Sequence, residues 1–185
     1  MIIISWNCRG FENRQTVEVL ADLVRSKAPT ILFLTKTKLA VREMEPIKAE
    51  LGFQSMLAVS SDGRRGGLAT FWKAKVVLDT NTYSLHRIDA QVLPPLGQPW
   101  RLTGVYGYPE EQLKPETWRL LRQLHSCSTL LWMCIRDYNE ILNFDEKNGG
   151  LPKPLPPMLD FQSALLYCGL IDLGYSGYRF TWQNG

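Results

Sequence analysis

Three short apolar runs recur along the chain, each followed at once by polar residues. Ile2-Ile3-Ile4 leads into Trp6-Asn7-Cys8-Arg9-Gly10, and Ile31-Leu32-Phe33-Leu34 leads into Thr35-Lys36-Thr37-Lys38. Leu130-Leu131-Trp132-Met133-Cys134-Ile135 leads into Arg136-Asp137-Tyr138-Asn139-Glu140. The first run reads as a strand buried on both faces, and the other two repeat its plan. The polar residues behind the runs read as strand ends that open onto a site. The pattern therefore predicts an α/β sheet with a functional edge.

Between the first two runs, Val17, Leu20, Leu23 and Val24 recur at helical spacing while Glu18, Asp22 and Arg25 face out. Asn13 or Thr16 caps this helix and Pro29 ends it. A second helix is predicted over residues 41–51, stopping at Gly52, with Pro46 bending it or splitting it in two. The period then changes. Residues 53–59, 67–72, 76–80, 85–93 and 101–106 form short strand-like runs punctuated by Asp62-Gly63, Gly66-Gly67, Pro94-Pro95 and Gly97, which predicts antiparallel hairpins. A helix over residues 115–124 follows, then the strand at 130–135. Residues 148–157 read as an extended Pro-rich loop, 158–167 as a short helix stopped by Gly169, and 171–173 and 178–182 as final strands. Asn184-Gly185 is a hairpin signal at the last two residues. It reads either as a sheet that stops short or as a frayed tail.

Composition narrows the class. A chain of 185 residues with 45% hydrophobic content predicts a single domain spanning 1–185, and the 21 basic against 18 acidic residues give a charge of +3, too small to imply nucleic acid by itself. Cys8, Cys127, Cys134 and Cys168 form no CxxC pair and read as free, buried thiols of a reducing compartment. No apolar run approaches the ~20 residues of a membrane span. No basic segment precedes the first apolar run, so an intracellular protein, cytoplasmic or nuclear, is expected. No GxxxxGK phosphate loop is present. His86 and His125 have no ligand partner at metal spacing and read as surface or hydrogen-bonded histidines.

Asp137 and Asn139, two apart behind an apolar strand and joined by Asn7, can hold a magnesium ion and a phosphate-bound water. The same Asp-x-Asn spacing also reads as a turn closed by an Asx hydrogen bond.

Four blocks, SWNCRG at 5–10, ILFLTKTK at 31–38, LTGVYGYP at 102–109 and LWMCIRDYNEIL at 131–142, occur in an order and spacing that resemble the endonuclease/exonuclease/phosphatase (DNase I-like) superfamily. The resemblance is closest to the endonuclease domain of plant LINE-type (non-LTR) retrotransposons. A weaker block, GLIDLGYSGYRFTW, lies at 169–182. The resemblance implies a two-sheet α/β sandwich that cuts phosphodiester bonds with a divalent metal. Carried over by position, Asn7 helps hold the metal site and its water, and Tyr106 hydrogen-bonds the scissile phosphate. Asp137 orients or deprotonates the attacking water, and Asn139 contacts phosphate.

Three departures from the family pattern accompany the resemblance. The second block has Lys36 where the family has its metal-ligating glutamate, in a pattern like S-E-T-K; a protonated lysine repels the ion it would have to bind. The block around Asp137 has Arg136 and Tyr138 where G-D-F-N is usual. The family's final Asp-His pair has no counterpart before the chain ends at Gly185, which leaves the second sheet incomplete. The expectation is a catalytically degenerate domain that needs no cofactor, with a Lys36–Asp137 ion pair in place of the metal. Magnesium or manganese enters only if activity is residual. The implied role is protein interaction, with another protein or a second copy on the C-terminal sheet edge at Tyr175, Tyr178, Phe180 and Trp182. The alternatives are a magnesium-dependent DNA endonuclease or phosphodiesterase, and a weak, non-cleaving nucleic-acid binder with Arg9, Arg14, Lys36, Lys38, Arg64, Arg65 and Arg136 along its rim.

Overall fold

A computed structural model describes residues 1–63 and 66–174, apart from the side chain of Arg136. The expectations placed on Arg64, Arg65, the Arg136 side chain, Tyr175, Tyr178, Phe180, Trp182 and the terminal hairpin signal lie outside the described residues. Two compact units make up the chain, one of Met1–Tyr106 with Leu130–Asp137, the other of Gly107–Thr129 with the chain from Tyr138 onward.

The first unit is a two-sheet α/β sandwich. In chain order it holds β1 (Ile3–Asn7), α1 (Arg14–Lys27), β2 (Ile31–Thr35), α2 (Val41–Glu50), β3 (Ser55–Val59) and β4 (Leu68–Trp72). Then come β5 (Val77–Ser84), β6 (Arg87–Leu93), β7 (Trp100–Tyr106) and, after the return from the second unit, β8 (Trp132–Asp137). One sheet runs β1-β2-β4-β3 and the other β5-β6-β7-β8. Among the described residues, β1–β2 and β7–β8 pair in parallel and the other pairs are antiparallel.

Strand β2 shows why the layers form. Its side chains alternate with period 2. Leu32 and Leu34 pack with Val17, Leu20 and Val24 of α1 and Met44 and Ile47 of α2. Ile31 packs with Leu78, Val92 and Leu102, and Phe33 with Ile88 and Tyr106, all from the other sheet. A strand with helices on one side and a sheet on the other must be apolar throughout. Gly104 of β7 completes the fit, since a side chain there would occupy the space of the Phe33 ring.

Local signals account for the helices. The Asn13 carboxamide oxygen accepts from the Gln15 N–H at 2.9 Å, capping α1, and Ala28 takes a left-handed φ of 45° at its end. At α2, the Glu43 carboxylate accepts from the Ala40 N–H at 2.8 Å.

Several expectations need correction. The apolar strand ends do not share one sheet, because β8 belongs to the second. Among the described residues, strand β1 lies at the edge of its sheet and is only half-buried: Ile3 packs toward the second sheet and Ile4 toward the helices, but β2 is its one strand neighbour. Pro46 does not split α2, which runs unbroken from Val41 to Glu50. Cys127 is exposed and Cys134 half-buried, so the thiols are not all buried, although none of the four forms a disulfide among the described residues.

The second unit contains α3 (Lys114–Ser126) and α4 (Leu155–Tyr167). Trp118 stacks on Phe161 with ring centroids 4.5 Å apart, and Tyr138 meets Phe161 edge-on at 4.9 Å. The Pro-rich stretch is shorter than expected: Leu155, Pro156 and Pro157 already belong to the first turn of α4, where the missing proline N–H groups leave no helical bond unmade. Residues 171–173 form no strand, and Ile171 and Leu173 are exposed.

Candidate functional site

Strand parity assembles the site. In β1, Ile3 faces the second sheet, so Ser5 and Asn7 do too; in β2, Ile31 and Phe33 carry Thr35 to the same side. In β7, Leu102 and Gly104 carry Tyr106 toward the first sheet, and in β8 Met133 and Ile135 carry Asp137. Asn7, Thr35, Tyr106 and Asp137 are the last residues of their strands. The register pairs Asn7 with Thr35 and Tyr106 with Asp137. Four polar side chains therefore meet at one end of the space between the sheets.

Direct contacts tie them together. The Asn7 amide donates to Asp137 Oδ2 at 2.5 Å, and its Oδ1 accepts from the Arg9 N–H at 3.2 Å. Lys36, the residue after Thr35, holds its ammonium 5.4 Å from the centroid of the Tyr106 ring, a cation–π placement. No ion pair joins Lys36 to Asp137 among the described residues, so the expected replacement of the metal by that pair is not what forms. The tyrosine ring draws the ammonium instead.

The backbone here is unusual. Arg9, Lys36 and Lys38 all have φ of 56°, in the left-handed region that costs a side-chain-bearing residue on the order of 1–2 kcal/mol. Strain of this kind concentrates where function fixes a side chain's position. Gly67 gives the Thr37–Lys38 segment its footing: its carbonyl accepts from the Thr37 N–H at 3.1 Å, and a side chain on it would strike the Thr37 hydroxyl. Cys8 closes the ends of β1 and β2, its thiol donating to the carbonyls of Thr35 at 3.1 Å and Lys36 at 3.4 Å. Burial pushes this thiol up to about 11, so it is a packing group and no nucleophile at neutral pH.

Of the residues expected at the site, the structure brings Asn7, Lys36, Tyr106 and Asp137 together. Asn139 belongs to the second unit. There its side chain donates to the Gly107 carbonyl at 2.7 Å, and its φ of 53° suits asparagine's tolerance of the left-handed region. Arg9 supplies its backbone N–H to Asn7 while its side chain is exposed.

Sequence reasoning missed two residues. His86, read as an ordinary surface or hydrogen-bonded histidine, stacks on Tyr106 with planes 3° apart and centroids 6.3 Å apart. Its Nδ1 lies 3.1 Å from the Tyr106 carbonyl oxygen. Only the β5–β6–β7 register brings it there, and nothing in its local sequence announces that. Thr35 was read simply as part of a polar tail, although its place at the end of an alternating strand was sufficient to find it.

Among the described residues, the donor set is a poor match for a divalent metal. Hard cations are held by several oxygen ligands, carboxylates above all. Here one carboxylate and one amide share the space with an ammonium. Among the described residues, no three His, Cys, Asp or Glu side chains come together as a metal group.

No protein-family model matches the sequence, and no curated protein matches it. Solved structures do match. The AP endonuclease LMAP from Leishmania major is 15% identical with a TM-score of 0.68, over 90% of this chain and 66% of that one. The human Nocturnin catalytic domain with bound sulfate is 11% identical with a TM-score of 0.58, over 75% of this chain and 64% of that one. An endonuclease/exonuclease/phosphatase family protein from Bacteroides thetaiotaomicron is 15% identical with a TM-score of 0.58, over 74% of this chain and 61% of that one. The chain thus spans under two thirds of the length of each. At these identities the likeness is one of architecture, and the chain has the two-sheet α/β sandwich fold of endonuclease/exonuclease/phosphatase proteins.

Proposed function

We propose that the protein is a catalytically degenerate form of this nuclease fold, derived from a plant LINE-type retrotransposon endonuclease, and that it acts inside the cell by protein interaction. The observation that carries the reading is Lys36. Its ammonium lies over Tyr106 in the cleft where Asn7 and Asp137 meet. A lysine ammonium beside a would-be cation site opposes the ion by charge repulsion. The order of the four sequence blocks supports the origin. The interaction reading places another protein, or a second copy, at Tyr175, Tyr178, Phe180 and Trp182.

Supercoiled plasmid incubated with magnesium or manganese tests it. Nicking is expected to stay at background for the wild-type protein. Nicking that co-purifies with the protein and disappears in Asp137→Ala overturns the reading in favour of a metal-dependent endonuclease.

A second reading, nucleic-acid binding without cleavage, is favoured by Arg9, Lys36 and Lys38 standing at the ends of β1 and β2. Anisotropy titrations of a labelled oligonucleotide at two salt concentrations test it, because phosphate contacts require affinity that falls steeply with salt.

A further inference from the structure

Just before α4 the second unit carries an exposed, extended strip, Leu151-Pro152-Lys153-Pro154. Its sequence fixes its backbone. Each proline ring holds φ at about −65°, and Leu151 and Lys153 each precede a proline, which disfavours the helical region. Pro154 lies at φ −62° and ψ 140°, a polyproline II conformation. That helix turns once in about three residues, so Leu151 and Pro154 share one edge, Pro152 forms a second and Lys153 the third. The structure uses these edges differently. Lys153 turns inward, its side chain 23% exposed, and its ammonium reaches Glu111 at 2.9 Å and Glu140 at 3.3 Å. Leu151 is 86% exposed, and Pro152 and Pro154 are exposed beside it. Lys147 donates to the Leu151 carbonyl and pins the start of the strip. Among the described residues, no backbone N–H reaches the carbonyls of Pro152 and Lys153.

We propose that Leu151–Pro154 is a docking strip for a partner domain whose groove is lined with aromatic side chains, the kind of groove that reads polyproline II segments. An exposed leucine alone is ordinary surface. What marks this strip is that its exposed edges are apolar on a backbone already held in the conformation such grooves read. Two lysines hold it there, so little freedom is left to lose on binding. Aromatic faces of the partner would take the Leu151–Pro154 edge and the Pro152 ring, and groove N–H or O–H donors would meet the carbonyls of Pro152 and Lys153. The ammonium of Lys153 is already engaged by Glu111 and Glu140. The strip therefore offers no basic anchor, and it fits a groove that reads proline and aliphatic edges rather than one built around an acidic pocket. The inference goes beyond the interaction proposed at Tyr175, Tyr178, Phe180 and Trp182 and does not depend on it.

The test is NMR titration of a panel of isotope-labelled WW and SH3 domains, which read polyproline II segments, with the intact unlabelled chain. At least one domain is expected to bind, with shifts concentrated at the aromatic residues of its groove. The double variant Pro152→Ala, Pro154→Ala is expected to weaken that binding at least about tenfold while its circular dichroism spectrum stays that of the wild type. Leu159→Ser removes an exposed leucine of α4 outside the strip, 49% exposed, and is expected to leave binding unchanged. Three results overturn the proposal: no domain of the panel binds, binding survives the double proline variant, or Leu159→Ser weakens binding as much as that variant does. The last would mean that general apolar adhesion, not a read polyproline strip, holds the partner. All these variants keep Tyr175, Tyr178, Phe180 and Trp182, so a failure here is separate from a failure of the interaction proposed there.

Discussion

The side-chain amide of Asn7 reaches across the sandwich to Asp137 Oδ2 at 2.5 Å, joining the last residue of β1 in one sheet to the last residue of β8 in the other. Both strands lie at the edges of the described sheets, and this bond ties the two layers together there. A hydrogen bond to a charged group contributes about 1.5–3 kcal/mol, and half-burial places this one at the lower end. Asn7→Ala is expected to lower the free energy of unfolding by about 1.5 kcal/mol in urea denaturation. A loss below a few tenths of a kcal/mol would show that the bond holds nothing together.

Lys36 is the residue expected to govern metal affinity. Manganese is expected to bind the wild-type chain with a dissociation constant weaker than about 100 μM, and Lys36→Glu to tighten it by at least about tenfold by replacing a repelling charge with a ligand. Titration calorimetry on the two proteins measures the difference. Tight wild-type binding that is lost in Asp137→Ala would show that the ammonium yields to the ion.

What the sequence made legible was the part of the fold written in single strands. The unbroken apolar run of β2 announced a strand covered on both faces, and Asn7, Tyr106 and Asp137 could be placed at strand ends without coordinates. What it hid depends on pairing. Ile2 to Ile4 look as buried as Ile31 to Leu34, yet β1 is half-buried and lies at an edge among the described strands, a position decided by partners far along the chain. The ammonium of Lys36 was expected on Asp137; the structure gives it to Tyr106, a choice between two neighbours that only geometry makes. His86 reaches the site through the register of three antiparallel strands. Pro156 and Pro157 misled for another reason: proline breaks a helix interior but is well accommodated in a first turn.

Outward of the inter-sheet core, the second sheet buries a pair of opposite charges. Arg101 donates to Asp89 through Nε at 2.8 Å and Nη2 at 3.1 Å, and Thr103 adds its hydroxyl at 2.6 Å. Both ionic side chains are 3% exposed or less. Arg101→Met is expected to destabilise the protein by about 3–5 kcal/mol, because Asp89 keeps its charge in a place water does not reach. Changing Asp89 to Asn in the same chain is expected to recover a substantial part of that loss. Urea midpoints of the single and double variants check it, and an additive double variant would mean that the two residues do not share one energetic unit.

In the second unit, Lys114 and Glu140 form a pair whose side chains are 2% and 1% exposed, with Nζ 2.6 Å from Oε2. Lys114 also donates to Glu111 at 2.9 Å, and Lys153 closes the ring by reaching Glu111 at 2.9 Å and Glu140 at 3.3 Å. The ring fastens the segment after β8 to the start of α3. Burial works to raise the Glu140 carboxyl, but the hydrogen bond from Lys114, the Ile141 N–H and the two ammonium charges hold it below its ordinary 4.5. The hydrogen bonds from Lys114 and then Lys153 hold Glu111 below 4.5 as well. A carboxylate depressed in the folded state takes up its proton more readily when the chain unfolds. Its stabilising contribution is therefore complete above 4.5 and is lost as pH falls through the folded value. Lys153 runs the opposite way. Burial opposes its charge, but Glu111 and Glu140 raise it above 10.5, so its contribution is complete below that value and fades as pH rises beyond it. The urea midpoint of the wild-type protein is expected to fall as pH drops from about 5 toward 3, and that of the Glu111→Gln, Glu140→Gln double variant to fall less steeply from a lower starting point at neutral pH. The slope is the discriminating quantity, since a variant that merely lost packing would start lower but keep the wild-type pH dependence. Parallel curves for the two proteins would show that the acid sensitivity arises at other carboxylates.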